Sequence, residues 1–513
     1  MILYAFMRTV WRIASGAVLV ALLLAIERFV GDAGTAFFLT SALLWSAAVI
    51  IAYWSFGPML AKLLLRLRVP PRPEFARRPA RRILIIADHS DPLAPVGGEE
   101  SGGQNIYVHS LASILSAKNF SVDVFTRLSD SGLPREEIAR DGYRVVRIEA
   151  GPTRFIPKEK IREHLDAFTE GILAFVRRSG LRYDVIHSHY WLSGLAGLEI
   201  RRRLALPLVH NFHSLGRIKR EALGTGTSAD ERENAEVQLA AKADAVIATS
   251  PYESRLLAKL PGAVNARIHT IPCGVDISRF SPVPKDEAKR AVGFPQAEIA
   301  VLYAGRFAAQ KGLPVLFRAF EMMRRELAPK LDQHVRLYLA GGAKAGAHES
   351  TELGRARTLI ARYGLESSVA FLGCIPNAEM PKYYNAADLC VVPSLYEPFG
   401  IVPLEAMACG TPVVVARVGG MRSTVQNLRT GFHARAGDVA DFAHKLRLLI
   451  ENENLRIEFG KNGRRRMEET FSWDTVADRI IQLYIHQIRL QRSATRVDAP
   501  DGPSARERAL AHG

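Results

Sequence analysis

The sequence predicts an α/β protein with two doubly wound domains facing each other across a cleft, preceded by a two-helix transmembrane hairpin. Three observations carry this reading. Short Val-, Ile- and Leu-rich runs alternate with helical patterns from residue 82 to 470, the signature of parallel sheets covered by helices on both faces. The alternation comes in two series, the second starting after Pro282 and Pro284. Two apolar stretches stand ahead of both. A chain of 513 residues is too long for one core, and 48% hydrophobic with 23% charged residues excludes a disordered chain.

In chain order, Ile13 to Ile26, extendable to Val10 and Val30, and Ala33 to about Leu60 predict a membrane-spanning hairpin over 1–68, turning at Gly31-Asp32. A cleaved signal peptide is the alternative for the first stretch, but no small-x-small site precedes a polar start. Arg8 and Arg12 lie before the hairpin and a Lys/Arg cluster follows Leu60. The positive-inside rule then predicts a multi-pass inner-membrane protein with its catalytic domains in the cytoplasm. Residues 69–81 form a basic, Pro-rich linker holding part of the net charge of +16. Beside a membrane segment, contact with anionic lipids is favoured over a merely solvated linker. Nucleic acid is not an expected partner, because no interleaved aromatics or recognition motif accompany the charge.

Residues 82–281 predict the first Rossmann-like domain, with strands at Ile83–Ala87, Val122–Thr126, Tyr143–Ile148, Val185–His187, Leu208–Asn211 and Ala245–Ala248. Residues 282–470 predict the second, with strands at Ala300–Ala304, Val335–Ala340, Val369–Leu372, Leu389–Val392 and Val413–Val415. Residues 471–491 predict a helix crossing back to the first domain, and 492–513 a polar, disordered tail.

The chemistry concentrates in turns that follow these strands. Glu397 and Glu405 flank a turn that opens the apolar run ending at Pro412. Such a turn offers backbone N–H groups to an anion, and carboxylates beside an anion site are tolerable when they bind hydroxyls, as a sugar or ribose would supply. In the same domain Arg306 and Lys311 stand in another strand-to-helix turn, suited to neutralising a diphosphate leaving group. In the first domain, Gly97 to Asn105 reads as a glycine-rich loop before a helix, a close approach to ligand or a plain flexible loop. Asp184 to Trp191 and His210 to Lys219 follow strands at the cleft edge, and His213-Ser214 with Lys219 and Arg232 suits a phosphate. Four cysteines without a C-x-x-C pair, and histidines without H-E-x-x-H spacing, predict no disulfide framework, metal or cofactor.

Taken together, Asp91 to Pro95, Ser101 to Asn105, His187 to Trp191, His213 to Arg217, Ile271 to Asp276, Gly305 to Gly312 and Glu397 to Pro412 make the chain resemble the retaining, family 4 glycosyltransferases of the GT-B fold. Within these it is similar to the sucrose synthase, sucrose-phosphate synthase and inositol-phosphate glycosyltransferase branch. The resemblance spans about Arg81 to Leu490. It implies hexosyl transfer from a nucleotide diphosphate sugar, with a UDP-sugar favoured, to an acceptor hydroxyl. Arg306 and Lys311 match its diphosphate-binding pair, and Glu405 its ribose ligand. Glu397 matches the residue on the donor-sugar hydroxyls, and Phe399, Gly400, Ile401 and Val402 line sugar and phosphates. His213 matches the cleft histidine, and Gly103 and Gln104 the loop near donor and acceptor. Ser214, Lys219 and Arg232 match contacts to an acceptor phosphate, with Tyr190 and Lys158 as looser matches. Ser423 stands where many members carry Glu, a departure that bears on donor identity, and residues 223–229 align poorly, which bears on the acceptor assignment; the hairpin, absent from soluble members, leaves a lipid-linked acceptor open beside a phosphosugar or polyol phosphate.

The rivals are a nucleotide-sugar epimerase or hydrolase on the same fold, and a non-catalytic membrane scaffold. Retention of both cations, Arg306 and Lys311, speaks against each.

Overall fold

The computed structural model describes residues 81–94, 102–223, 229–342 and 347–497. All lie in one compact unit, Ala80–Gly513. The first sheet contains β1 (Arg82–Ile86), β2 (Ser121–Arg127), β3 (Glu136–Ile138), β4 (Arg144–Ile148), β5 (Val185–His189), β6 (Leu208–Asn211), β7 (Ala245–Ala248) and β8 (Ile268–Thr270). Their spatial order is β3-β4-β2-β1-β5-β6-β7-β8, with β3 alone antiparallel. The second sheet holds β9 (Ile299–Ala304), β10 (Val335–Ala340), β11 (Val369–Gly373), β12 (Leu389–Val392), β13 (Val413–Ala416) and β14 (Gly431–Ala434), all parallel, in the order β11-β10-β9-β12-β13-β14.

Both orders reverse direction once, between β1 and β5 and between β9 and β12. In a doubly wound sheet that reversal opens a crevice at the carboxyl ends of the strands. Strands such as Ile83 to Ile86 and Val413 to Ala416 are continuous, entirely buried apolar runs because helices cover both faces. Three helices matter for the site: α1 (Gly103–Ala117), α2 (Ile401–Ala408) and α3 (Trp473–Val497).

The chain returns from the second domain to the first at Phe471–Trp473. Val275 N–H donates to the Phe471 carbonyl at 2.7 Å, and Trp473 N–H to the Val275 carbonyl at 3.2 Å, so the two connections between the domains run side by side. From there α3 packs along the first domain. Lys118 Nζ lies 3.2 and 2.9 Å from Asp474 and Asp478, and the Tyr484 hydroxyl is 2.6 Å from His187 Nδ1.

Several expectations change. The helix runs on to Val497, into the segment expected as a disordered tail from 492. Three short strands were not foreseen: β3, an exposed edge; β8, three residues long; and β14, which begins at Gly431. The hairpin over 1–68 lies outside the described residues, as do linker residues 69–80 and the Gly97 to Ser101 part of the glycine loop. The inner-membrane localisation is corrected: among the described residues no helix is long and apolar enough to cross a membrane.

Candidate functional site

The two sheet edges meet at a cleft of about 460 Å³. Gly103, Gln104, His213, Ser214 and Lys219 line it from the first domain; Arg306, Lys311, Glu397, Phe399 to Val402 and Glu405 line it from the second.

The second-domain wall is built from two turns after the adjacent strands β9 and β12. Following β9, Gly305 takes a φ of 152° and Arg306 is exposed, while Tyr303 underneath donates its hydroxyl to the Arg306 carbonyl at 2.9 Å. A 3₁₀ turn, Ala309–Lys311, ends at Gly312, whose φ is 71°. A Cβ there would lie 2.1 Å from the Pro393 carbonyl oxygen, so only glycine permits this approach of the two turns. Leu395 N–H also donates to the Gln310 carbonyl at 2.8 Å. The result is a Lys311 Nζ that donates to Glu397 Oε2 at 2.6 Å, with both side chains largely buried.

Glu405 belongs to α2 and is buried, accepting a hydrogen bond from the Tyr384 hydroxyl at 2.8 Å. Burial raises its pKa to about 7, against the opposing pull of Tyr384, Arg279 and Asn377. Gly400, at φ 90°, opens α2 and sets Ile401 and Val402 on the cleft.

On the first-domain wall, α1 begins at exposed Gly103, where a Cβ would stand 3.1 Å from Ile401 Cδ1 of the facing domain. Gln104 Nε2 donates to the His189 carbonyl at 3.4 Å. His213 adopts a left-handed backbone, φ 57°, held by its N–H donating to Asn211 Oδ1 at 3.2 Å. For a non-glycine residue that conformation costs on the order of 1 kcal/mol and concentrates at functional sites. Its ring stands edge-on to Tyr107, 5.1 Å between centroids, with Nε2 2.9 Å from His189 Nδ1. Burial, with nearby His89, lowers its pKa to about 3, so His213 is neutral at physiological pH.

The remaining first-domain residues divide by depth. Tyr190 is buried, with φ 78°, and does not line the cleft. Arg232 lies over its ring at 4.9 Å and donates to the Ser214 carbonyl at 2.7 Å, to Ser214 Oγ at 3.0 Å and to Glu236 Oε1 at 2.7 Å. Tyr190 and Arg232 thus stand one layer behind Ser214, with the arginine's charge balanced by Glu236. Lys158 opens a separate 3₁₀ turn, Lys158–His164, and is not on the cleft. His187, His189 and His210 are likewise buried in the domain rather than at its edge. Sequence reasoning missed Tyr384 and Asn377, which approach Glu405 from outside its own turn. It also missed the Gly341-Gly342 pair after β10, although paired glycines after a strand were a readable signal.

Two Rossmann-like domains that meet at their strand ends over a cleft with paired cations and carboxylates define a glycosyltransferase of the GT-B class. Residues 101–279 match the family model described as Glycosyltransferase Family 4, and residues 284–466 match Glycosyl transferases group 1. The D-inositol 3-phosphate glycosyltransferase of Acidothermus cellulolyticus is 36% identical over 418 residues, 81% of this chain and 92% of that one. The Corynebacterium jeikeium protein of the same name is 36% identical over 413 residues, covering 79% and 96%. Among solved structures, sucrose-phosphate synthase from Thermosynechococcus elongatus superimposes with a TM-score of 0.73 at 36% identity, covering 80% of this chain and all of that one. Anabaena HepE in complex with UDP and glucose, 21% identical and covering 79% and 99%, shares the fold at a TM-score of 0.61. The chain belongs to the group 1, family 4 glycosyltransferases, and it is an enzyme of that class. That membership sets the non-catalytic scaffold aside.

Proposed function

We propose that the protein transfers a hexosyl group, with retention, from a nucleotide diphosphate sugar such as a UDP-sugar to a hydroxyl of a phosphorylated polyol or sugar. The observation that carries this is the pairing of Lys311 with Glu397 beside Arg306, across the cleft from Ser214 and Lys219. A diphosphate arriving at Arg306 competes for Lys311 and releases the Glu397 carboxylate to accept hydrogen bonds from sugar hydroxyls. Glu405, Ile401 and Val402 line the same cleft, which supports a reading in which Glu405 takes the ribose hydroxyls and the opening N–H groups of α2 add to the anion site. Ser214 and Lys219 are the cleft-facing groups suited to an acceptor phosphate, with Arg232 and Tyr190 holding Ser214 from behind.

The bond from the anomeric carbon to the diphosphate oxygen breaks while a bond to the acceptor oxygen forms on the same face. The acceptor proton passes to the departing phosphate oxygen, whose charge Arg306 and Lys311 stabilise. No cofactor or metal is needed for this charge balance. The names of the relatives, D-inositol 3-phosphate glycosyltransferase and sucrose-phosphate synthase, support a phosphorylated participant.

The test is incubation of purified protein with radiolabelled UDP-sugars and inositol 3-phosphate, inositol, or no acceptor. Label in a new anionic product only with the phosphorylated acceptor is expected. Equal labelling of plain inositol removes the phosphate reading. Epimerised or hydrolysed donor without any acceptor at full rate replaces the transferase by the rival enzyme.

A further inference from the structure

One histidine, His213, lines the cleft, and three more stand behind it in the first domain. His187, His189 and His210 are each 0% exposed. In all three Nδ1 has a partner: the Tyr484 hydroxyl at 2.6 Å for His187, His213 Nε2 at 2.9 Å for His189, and Ser188 Oγ at 2.8 Å for His210. In all three Nε2 is buried without a partner among the described residues. Burial and mutual proximity keep the rings neutral.

A neutral imidazole carries one proton, on one nitrogen or the other. A buried N–H with no acceptor is the costlier orphan, and such groups are rare in folded proteins. The shared pattern therefore puts the proton on Nδ1 in each ring and leaves Nε2 as a bare lone pair. For His187 and His210 that proton goes to a hydroxyl, which can accept. For His189 it goes to a second imidazole, so His213 Nε2 must be the acceptor. The proton of neutral His213 is then on its own Nδ1. That atom makes no hydrogen bond among the described residues and is not one of the buried orphans, so it faces the cleft that His213 lines.

We propose that His189 is a positioning residue that fixes His213 as its Nδ1–H tautomer, so that His213 presents a hydrogen-bond donor, not an acceptor, to an oxygen of the bound substrate. The ring of His189 packs at a tilt of 41° against that of His187, 4.2 Å between centroids, and His187 is tied to Tyr484 of α3. The tautomer follows from the buried geometry alone; its use on substrate rests on the proposed glycosyl transfer.

The experiment has two arms. ¹⁵N-histidine NMR of the ligand-free protein, with His213 assigned by its loss in His213→Gln, is expected to show protonated Nδ1 and bare Nε2. Protonated Nε2 on His213 overturns the proposal whatever the protein's activity. In the second arm, kcat is compared among His189 variants with the donor and acceptor that the UDP-sugar panel identifies. His189→Asn retains a donor toward His213 and is expected within about fivefold of the parent. His189→Asp can only accept when ionised, reverses the tautomer, and is expected to lose about 10²-fold, the scale of one misdirected donor at a reacting centre. If Asn and Asp variants of equal thermal stability have equal kcat while the NMR shows the Nδ1–H form, the tautomer stands and the use of His213 on substrate falls.

Discussion

Lys311 and Glu397 hold each other at 2.6 Å in the ligand-free cleft, so neither charge is left uncompensated before the donor arrives. Lys311→Ala removes both that compensation and a cation from the leaving group, and kcat/KM is expected to fall by about 10²- to 10³-fold. Steady-state transfer kinetics check this, and full turnover would remove Lys311 from the mechanism. Glu405 gives a second prediction, through pH. Its carboxyl has a pKa of about 7 in the fold against an ordinary 4.5. The native protein therefore holds a proton that the unfolded chain has released, and the stability this confers is complete below pH 4.5 and lost as pH rises toward 7. The loss is of order 3 kcal/mol at most. On the proposed role of Glu405 nucleotide binding runs the other way, because ribose hydroxyls donate best to an ionised carboxylate. UDP affinity is expected to rise as pH rises through about 7, with proton release on binding, and Glu405→Gln should flatten that component. Calorimetry at pH 6 and 8 in buffers of different ionisation heat measures both.

Turns between strand and helix carry the site, and the strictest of them is at Gly312. With φ at 71° and the Pro393 oxygen 2.1 Å from where a Cβ would be, Gly312→Ala must separate the β9 and β12 turns. A loss of at least about 2 kcal/mol in urea unfolding is expected, together with weaker UDP binding, because Lys311 precedes the glycine directly. Retention of both properties would show that the turns are not packed this way. The same elements show what could be read from sequence. Runs such as Ile83 to Ile86 and Val413 to Ala416 were legible because burial on both faces leaves no polar residue in them. Glu136–Ile138 was not, since an exposed antiparallel edge has no such pattern, and the short Gly431–Ala434 opens on a strand-weakening glycine. Arg306, Lys311 and Glu397 were legible as a group because their turns follow strands, and the neighbouring positions of β9 and β12 bring those turns to one cleft wall. Depth was not legible. Residue types at Tyr190, Ser214 and Arg232 indicate phosphate chemistry, but only packing shows that Glu236 has claimed Arg232 and that Tyr190 lies beneath it. Tyr384 approaches Glu405 from another helix, a contact that no local pattern marks.

At the scale of the molecule, a two-domain transferase works by closing: water must leave before the anomeric carbon becomes electrophilic, or the donor is hydrolysed. The two walls approach each other at Gly103, the first residue of α1, where the absent Cβ would be 3.1 Å from Ile401 Cδ1. The connections at Val275 and Phe471–Trp473 run side by side, and α3 anchors the return segment to the first domain through Lys118 and His187. A branched side chain at Gly103 acts as a wedge between the two walls at this point. Gly103 is exposed and opens a helix, so Gly103→Val is expected to leave unfolding free energy within about 0.5 kcal/mol of the parent. Its effect falls on the approach of the two walls, where Ile401 must give way. Transfer should drop by about 10- to 100-fold and the ratio of donor hydrolysis to transfer should increase, since a cleft that cannot shut admits water beside the acceptor. Radiolabelled UDP-sugar partitioned between free hexose and transferred product measures that ratio directly. A valine variant with the parent's rate and ratio would mean that the walls do not come together at Gly103 and Ile401 during turnover, and the closing surface would then have to be sought elsewhere along the two sheet edges.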